Sequence, residues 1–256
     1  MRVLLWLIWL PFAALATPKV ITTGASVTQI VEALGGEQWI VGTDSTSQGH
    51  YPKLGYFRQL GAEGVLSLKP DELWAAPGTG PAAVLEQLAA SGVKVRELPP
   101  APGIDGLYSH IALLGQWLDK PQAAAALVSR IKDGLNHLEP LAAKPRVLFL
   151  LSASDRGLIA AGTQTWPDTL MALAGFDNVA ASQQGYKPFS REMLLSGIDL
   201  ILVPEHVSAT PQALCQQPPL NLLGQRCKVR ALPATLVMSQ GPEVLTAVKA
   251  LRHALD

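Results

Sequence analysis

Apolar positions along the chain fall into short blocks that switch between two periods. Val20 to Thr23 is an apolar run of strand length, Val27 to Leu34 repeats at helical spacing and stops at Gly35-Gly36, and Trp39 to Gly42 is strand-like again. The alternation continues with a helix at Glu63 to Leu68, a strand at Glu72 to Ala76, a helix at Ala82 to Ala90 and a strand at Val93 to Leu98. A long helical region follows from Ile104 to Leu141. It is interrupted at Asp119-Lys120-Pro121, where proline suits the first turn of a second helix. Strands are then expected at Arg146 to Leu151, Gly157 to Ala161 and Leu200 to Val203, with helices at Trp166 to Ala174 and Val244 to Leu255. Strands alternating with helices predict an α/β fold with mostly parallel sheets.

The two halves contain related stretches. Glu63-Gly-Val-Leu-Ser-Leu-Lys-Pro-Asp71 aligns with Glu192-Met-Leu-Leu-Ser-Gly-Ile-Asp199 with one gap, each with a serine four residues after the glutamate and an aspartate before an apolar strand. This repeat predicts two similar lobes joined by a long helix, with a ligand cleft between them where polar groups from both walls converge. The expected boundaries are 17–103 for the N-terminal lobe, 104–144 for the linking helical segment and 145–256 for the C-terminal lobe.

Residues 1–16 stand apart. One charge at Arg2, a 14-residue apolar run and the small-x-small ending Ala14-Leu15-Ala16 read as a cleavable secretory signal. The run is shorter than the ~20 residues a spanning helix needs. No cysteine follows it, so the expectation is a soluble exported protein beginning near Thr17. Export in turn favours a disulfide between the only cysteines, Cys215 and Cys227, over two free buried thiols. Neither has histidines at zinc-site spacing.

The chain carries 20 basic and 20 acidic residues. That balance lacks the basic excess of a nucleic-acid binder. A hydrophobic content of 48% with 16% charged residues fits a large packed core. Enzyme signatures are missing: no Gly-x-Ser-x-Gly, no His-Glu-x-x-His, no Walker loop, and Gly78-Thr-Gly80 lacks dinucleotide spacing. The protein is therefore read as a non-enzyme, with a secreted hydrolase as the alternative from another class.

Candidate chemistry concentrates at Leu54-Gly-Tyr-Phe-Arg-Gln-Leu60. In an extended segment Tyr56 and Arg58 project the same way and Phe57 the other, which sets a phenol beside a guanidinium. A nearby cation favours phenolate, a hard anionic ligand suited to ferric iron. The competing reading of such a tyrosine is a packed ring with its hydroxyl in water.

Gly55-Tyr-Phe-Arg-Gln-Leu60, followed by Ala62-Glu-Gly-Val-Leu-Ser-Leu-Lys-Pro-Asp71, resembles the signature of periplasmic haem-binding proteins that serve Gram-negative haem-uptake ABC transporters. Thr43-Asp-Ser-Thr-Ser47 and Gly185-Tyr-Lys-Pro188 with Glu192 are similar to that family too. The resemblance implies that Tyr56 is the axial ligand of haem iron, that Arg58 supports it, and that Glu63 and Glu192 dock on the ABC permease dimer of the inner membrane. It also implies an outer-membrane haem receptor system upstream, a periplasmic location, and the two-lobed architecture with a stiff helical link. Some members carry a histidine after the strand matching Val147 to Leu151; this chain has Ser152-Ala-Ser-Asp155 there. His50 is a further candidate contact to haem. Lys187, Arg156 and Lys53 are candidates for its propionates. His110, His137, His206 and His253 read as capping or surface residues. An iron-siderophore or cobalamin carrier is the alternative binding function.

Overall fold

The computed structural model describes residues 17–154, 157–208 and 210–255. The expected signal segment, residues 1–16, and the candidate Arg156 lie outside them. The chain folds into two α/β lobes, each built on its own sheet.

In the N-terminal lobe β1 (Val20–Thr23), β2 (Ile40–Thr43), β3 (Glu72–Ala75) and β4 (Lys94–Glu97) form a wholly parallel sheet in the order β2-β1-β3-β4. Helices α1 (Ala25–Ala33), α2 (Ala62–Ser67) and α3 (Ala82–Ala90) connect them. β1 is buried at all four positions because both faces of a parallel sheet are covered, so its sequence does not alternate. Successive side chains serve different cores: Val20 and Trp74 face one side, Ile21 and Leu73 the other.

The linking segment breaks where the proline predicted, and the break reverses the chain. α4 (Gly103–Trp117) and α5 (Pro121–Asn136) form an antiparallel hairpin. Its far end is marked by Lys132 Nζ lying 4.8 Å from the Tyr108 ring centroid. At the near end the helices cross so closely that a Cβ on Gly115 would lie 2.4 Å from that of Ala124. Asp119 turns the chain at φ 56°, and Lys120 Nζ donates to the carbonyls of Leu34 and Gly35 at the end of α1. The link is thus two helices braced on the N-terminal lobe.

The C-terminal lobe holds β5 (Arg146–Ser154), β6 (Gly157–Ala161), α6 (Trp166–Ala174), β7 (Asp177–Asn178), β8 (Tyr186–Phe189), α7 (Arg191–Leu194), β9 (Leu200–Pro204), β10 (Val229–Leu232), α8 (Ala234–Val237) and α9 (Val244–His253). Its sheet runs β10-β9-β5-β6-β8. β10, β9 and β5 are parallel, as expected, while β6 and β8 are antiparallel. The exposed, proline-containing β8 suits an edge strand, where no partner needs the missing N–H.

One apolar cluster joins the lobes. Val147 and Phe149 of β5 and Leu200 and Leu202 of β9 share it with Val20 and Trp74 through α4, α5, α6 and α9. Opening the lobes as a hinge would expose part of this common core. Cys215 and Cys227 form a disulfide with Cα atoms 5.8 Å apart across 12 residues. Closing a loop of that size contributes on the order of 3 kcal/mol. No helix among the described residues is long and apolar enough to cross a membrane.

Candidate functional site

The two lobes meet at segments that follow the carboxyl ends of β2 and β10. Thr235, just past β10, is bonded from Gln48 and Gln29 of the N-terminal lobe, and Ser239 donates to Gln29 at 3.0 Å. The segment after β10 therefore floors the cleft between the lobes. Its walls are the loops beyond β1, β2 and β3 on one side and those of the C-terminal lobe on the other.

The N-terminal wall is framed by Asp44. Its buried carboxylate accepts from the Gly24 N–H (2.9 Å), the Thr46 N–H and hydroxyl (2.9 and 2.6 Å) and the Ser47 hydroxyl (2.8 Å). Four donors offset the cost of burying that charge. The same web binds Thr28 to Thr22 and Ser47. Thr43-Asp-Ser-Thr-Ser47 is thus a brace. Lys53 belongs to it: its ammonium donates to Thr43 Oγ1 and the carbonyls of Ser47 and Gln48, so it does not stand ready for a propionate.

Residues 52–55 run alongside this brace, with Leu54 N–H on the Thr43 carbonyl and Ser45 N–H on the Gly55 carbonyl. Gly55 turns at φ 84° into open space and presents Tyr56, which is 44% exposed. The Phe57 ring meets that of Tyr56 edge-on at 5.0 Å. From Phe57 to Gln59 the chain is a 3-10 turn, not an extended strand, because the Tyr56 carbonyl takes the Gln59 N–H (2.8 Å) and the Phe57 carbonyl takes the Gly80 N–H (3.0 Å). This overturns the alternation expected from an extended segment. Arg58 instead lies over the Phe57 ring, Cζ 5.0 Å from its centroid, and packs on Gly78, where a Cβ would sit 2.7 Å from Nη1. It makes no salt bridge among the described residues.

The other sequence candidates disperse. His50 is exposed and makes no hydrogen bond among the described residues. Tyr51 is occupied with Glu32 at 2.9 Å; burial and this carboxylate push its phenol up to about 12. His137 stands at the C-terminal cap of α5 and bonds the Asp133 carbonyl, in keeping with a capping role, whereas His110 is neither cap nor surface: it is buried in the middle of α4, where it bonds the Pro99 carbonyl. Lys187 is exposed on β8. Among the described residues no three His, Cys, Asp or Glu side chains converge on a metal.

Tyr186 was not singled out. It is the exposed tyrosine of the C-terminal lobe (37%), and like Tyr56 it follows a glycine at positive φ with open space around it, Gly185 at 74°. The repeated Gly-Tyr pair was the available signal. Burial of part of the side chain pushes its phenol up to about 12.

Glu63 and Glu192 are exposed and each lies in the first turn of a short helix, α2 and α7. A hydrogen bond from its own N–H, and one from Ser190, hold the Glu192 carboxylate below the usual range. In both helices the serine four residues on donates to a carbonyl three back, Ser67 to Gly64 and Ser196 to Met193, at 2.7 Å each.

Two open surface hollows, about 460 Å³ along α4 and α5 and about 390 Å³ between α1, α5 and the segment after β10, are not lined by Tyr56.

Residues 20–223 match the periplasmic binding protein family. The structure is similar to HutB of Vibrio cholerae, a periplasmic haem-binding protein, with a TM-score of 0.87 and 29% identity over 94% of this chain and 99% of that one. A periplasmic haem-binding protein of Pseudomonas aeruginosa gives a TM-score of 0.79 and 33% identity over 93% of this chain and 92% of that one. A vitamin B12-binding protein of Vibrio vulnificus is 27% identical over 63% of this chain, and the match spans 61% of that relative's length.

Proposed function

The chain belongs to the periplasmic binding protein family, and we propose that it captures haem in the periplasm and delivers it to an ABC importer of the inner membrane. Residues 1–16 act as the export signal in this reading. The observation that carries it is Tyr56: an exposed phenol on the N-terminal wall, turned outward by Gly55, with a guanidinium seated on the adjoining turn. Phenolate oxygen supplies the anionic axial ligand that ferric haem takes, and Arg58 contributes positive charge on the same wall. His50 and Lys187 are the further candidates for contact with the ligand, Lys187 as a propionate partner. The likeness to two haem-binding structures at 29% and 33% identity supports the same ligand.

Delivery requires the carrier to engage both halves of a dimeric permease. Glu63 and Glu192, exposed at equivalent places in the two lobes, are suited to pairing with permease arginines.

The test is an absorption titration of the ligand-free protein with haemin. A Soret band of ferric tyrosinate type that saturates is expected; no spectral change would end the haem reading. A second reading, a cobalamin carrier, is favoured by the match to vitamin B12-binding relatives. Protection of the fold by cyanocobalamin and not by haemin would establish it.

A further inference from the structure

Helix α7 is a single turn, too short to hold its shape alone in water. It is fixed by Leu194, fully buried, and by Met193, in a cluster with Leu214, Leu220, Leu223 and both cysteines. Those partners come from two 3-10 segments, Pro211–Gln216 and Leu220–Arg226, and α7 packs on the second. The Cys215–Cys227 bond closes this excursion on itself. The equivalent helix of the N-terminal lobe has no such staple: Ala62 and Val65 of α2 pack with Ile21, Leu73 and Leu88 of the sheet and α3. The two lobes therefore hold matching glutamates by different means.

The surfaces differ as well. Leu195, at the end of α7, is 58% exposed, and Leu222, on the stapled excursion, 50%. Leu66, which stands three residues after Glu63 as Leu195 does after Glu192, is instead partly buried in its cluster. Single exposed leucines are ordinary, but Leu195 lies three residues from the Glu192 carboxylate and Leu222 stands on the segment that packs against α7, so this end of the lobe is both apolar and anionic. Such a surface fits a protein partner that offers a cation flanked by apolar side chains, the chemistry asked of the membrane subunit that faces Glu192.

We propose that the Cys215–Cys227 bond is a positioning element for docking: it holds Glu192, Leu195 and Leu222 together as one contact surface for the importer's membrane subunit and leaves ligand binding alone. The proposal rests on the docking reading given above. It is tested with the mature carrier and the permease dimer of the same organism in lipid nanodiscs, with haemin as ligand. Cys215→Ser with Cys227→Ser is expected to weaken docking about fivefold or more while haemin affinity stays within about twofold. Hydrogen exchange at the amides of 191–196 should speed up in that variant while 62–67 remain unchanged. Docking equal to wild type would overturn the proposal, and so would a parallel loss of haemin affinity, since the bond would then support the lobe as a whole. Leu222→Ser keeps the bond and changes an exposed side chain; it too should weaken docking, and wild-type docking there would overturn the contact surface. Glu192→Ala is the separate arm: unchanged docking in that variant would sink the docking reading itself.

Discussion

Asp71 and Asp199 hold the same post in the two lobes. Asp71 accepts the backbone N–H of Lys19 at 2.7 Å and returns its own N–H to the Lys19 carbonyl; Asp199 does the same with Arg146, again at 2.7 Å. Each aspartate fastens the end of the helix-to-strand loop to the start of the neighbouring strand. The repeat read from the sequence is therefore matched bond for bond, and the glutamates eight residues before Asp71 and seven before Asp199 take up corresponding positions.

If Tyr56 ligates haem iron, Tyr56→Phe removes the only oxygen of that side chain and should abolish the ferric tyrosinate bands. Haemin affinity should fall about tenfold or more, ~1.4 kcal/mol at the least. An unchanged spectrum in the variant would rule the ligand assignment out.

Gly78 seats Arg58. Alanine there meets two obstacles, the positive φ of 77° and the guanidinium 2.7 Å from the new Cβ. The side chain's flexible end moves more easily than backbone, so the fold should survive with a loss of about 1 kcal/mol. Arg58→Ala should weaken haemin binding, and Gly78→Ala should reproduce part of that loss. Full affinity in Gly78→Ala alongside a loss in Arg58→Ala would show that the seat on Gly78 is dispensable.

Glu72 links β3 to β4: it takes the Trp74 indole N–H at 2.7 Å and pairs with Arg96 at 2.8 Å and Lys94 at 3.3 Å. Burial works to raise its pKa, but the Trp74 hydrogen bond and the charges of Arg96 and Lys94 outweigh it and hold the carboxyl below its usual value. A depressed folded pKa stabilises the fold above the unfolded value of ~4.3, and the contribution is lost as pH falls through the folded one. Glu72→Gln should therefore cost under ~1 kcal/mol at pH 7, since the pair is part-exposed, and the gap from wild type should close in acid. Urea midpoints at pH 7 and pH 3 check this; a gap that widens in acid contradicts it.

Glu63→Ala combined with Glu192→Ala should leave haemin titrations unchanged and impair uptake in reconstituted vesicles. The alternative is that each carboxylate only favours the positive end of its helix. Normal uptake by the double variant at low carrier concentration would leave that reading alone.

By itself the sequence determined what neighbouring residues encode. The strands and helices of the N-terminal lobe were legible from local periodicity, the break at Asp119-Lys120-Pro121 from a proline, the disulfide partners from being the only two cysteines, and the lobe repeat from Glu63 and Glu192. Gly-Tyr-x-Arg marked the wall on which Tyr56 stands. The tertiary structure alone decided how that wall is built. Arg58 leaves the face of Tyr56 because Gly80, more than twenty residues on, draws the Phe57 carbonyl into a turn. β8, with no apolar alternation of its own, is a strand because β6 pairs with it; the direction of β6, the reversal of α4 on α5 and the core shared by both lobes are likewise set by contacts distant in sequence. Periodicity records which face of a segment is apolar, while pairing partners and chain reversals depend on hydrogen bonds and packing between segments, and no local pattern carries those.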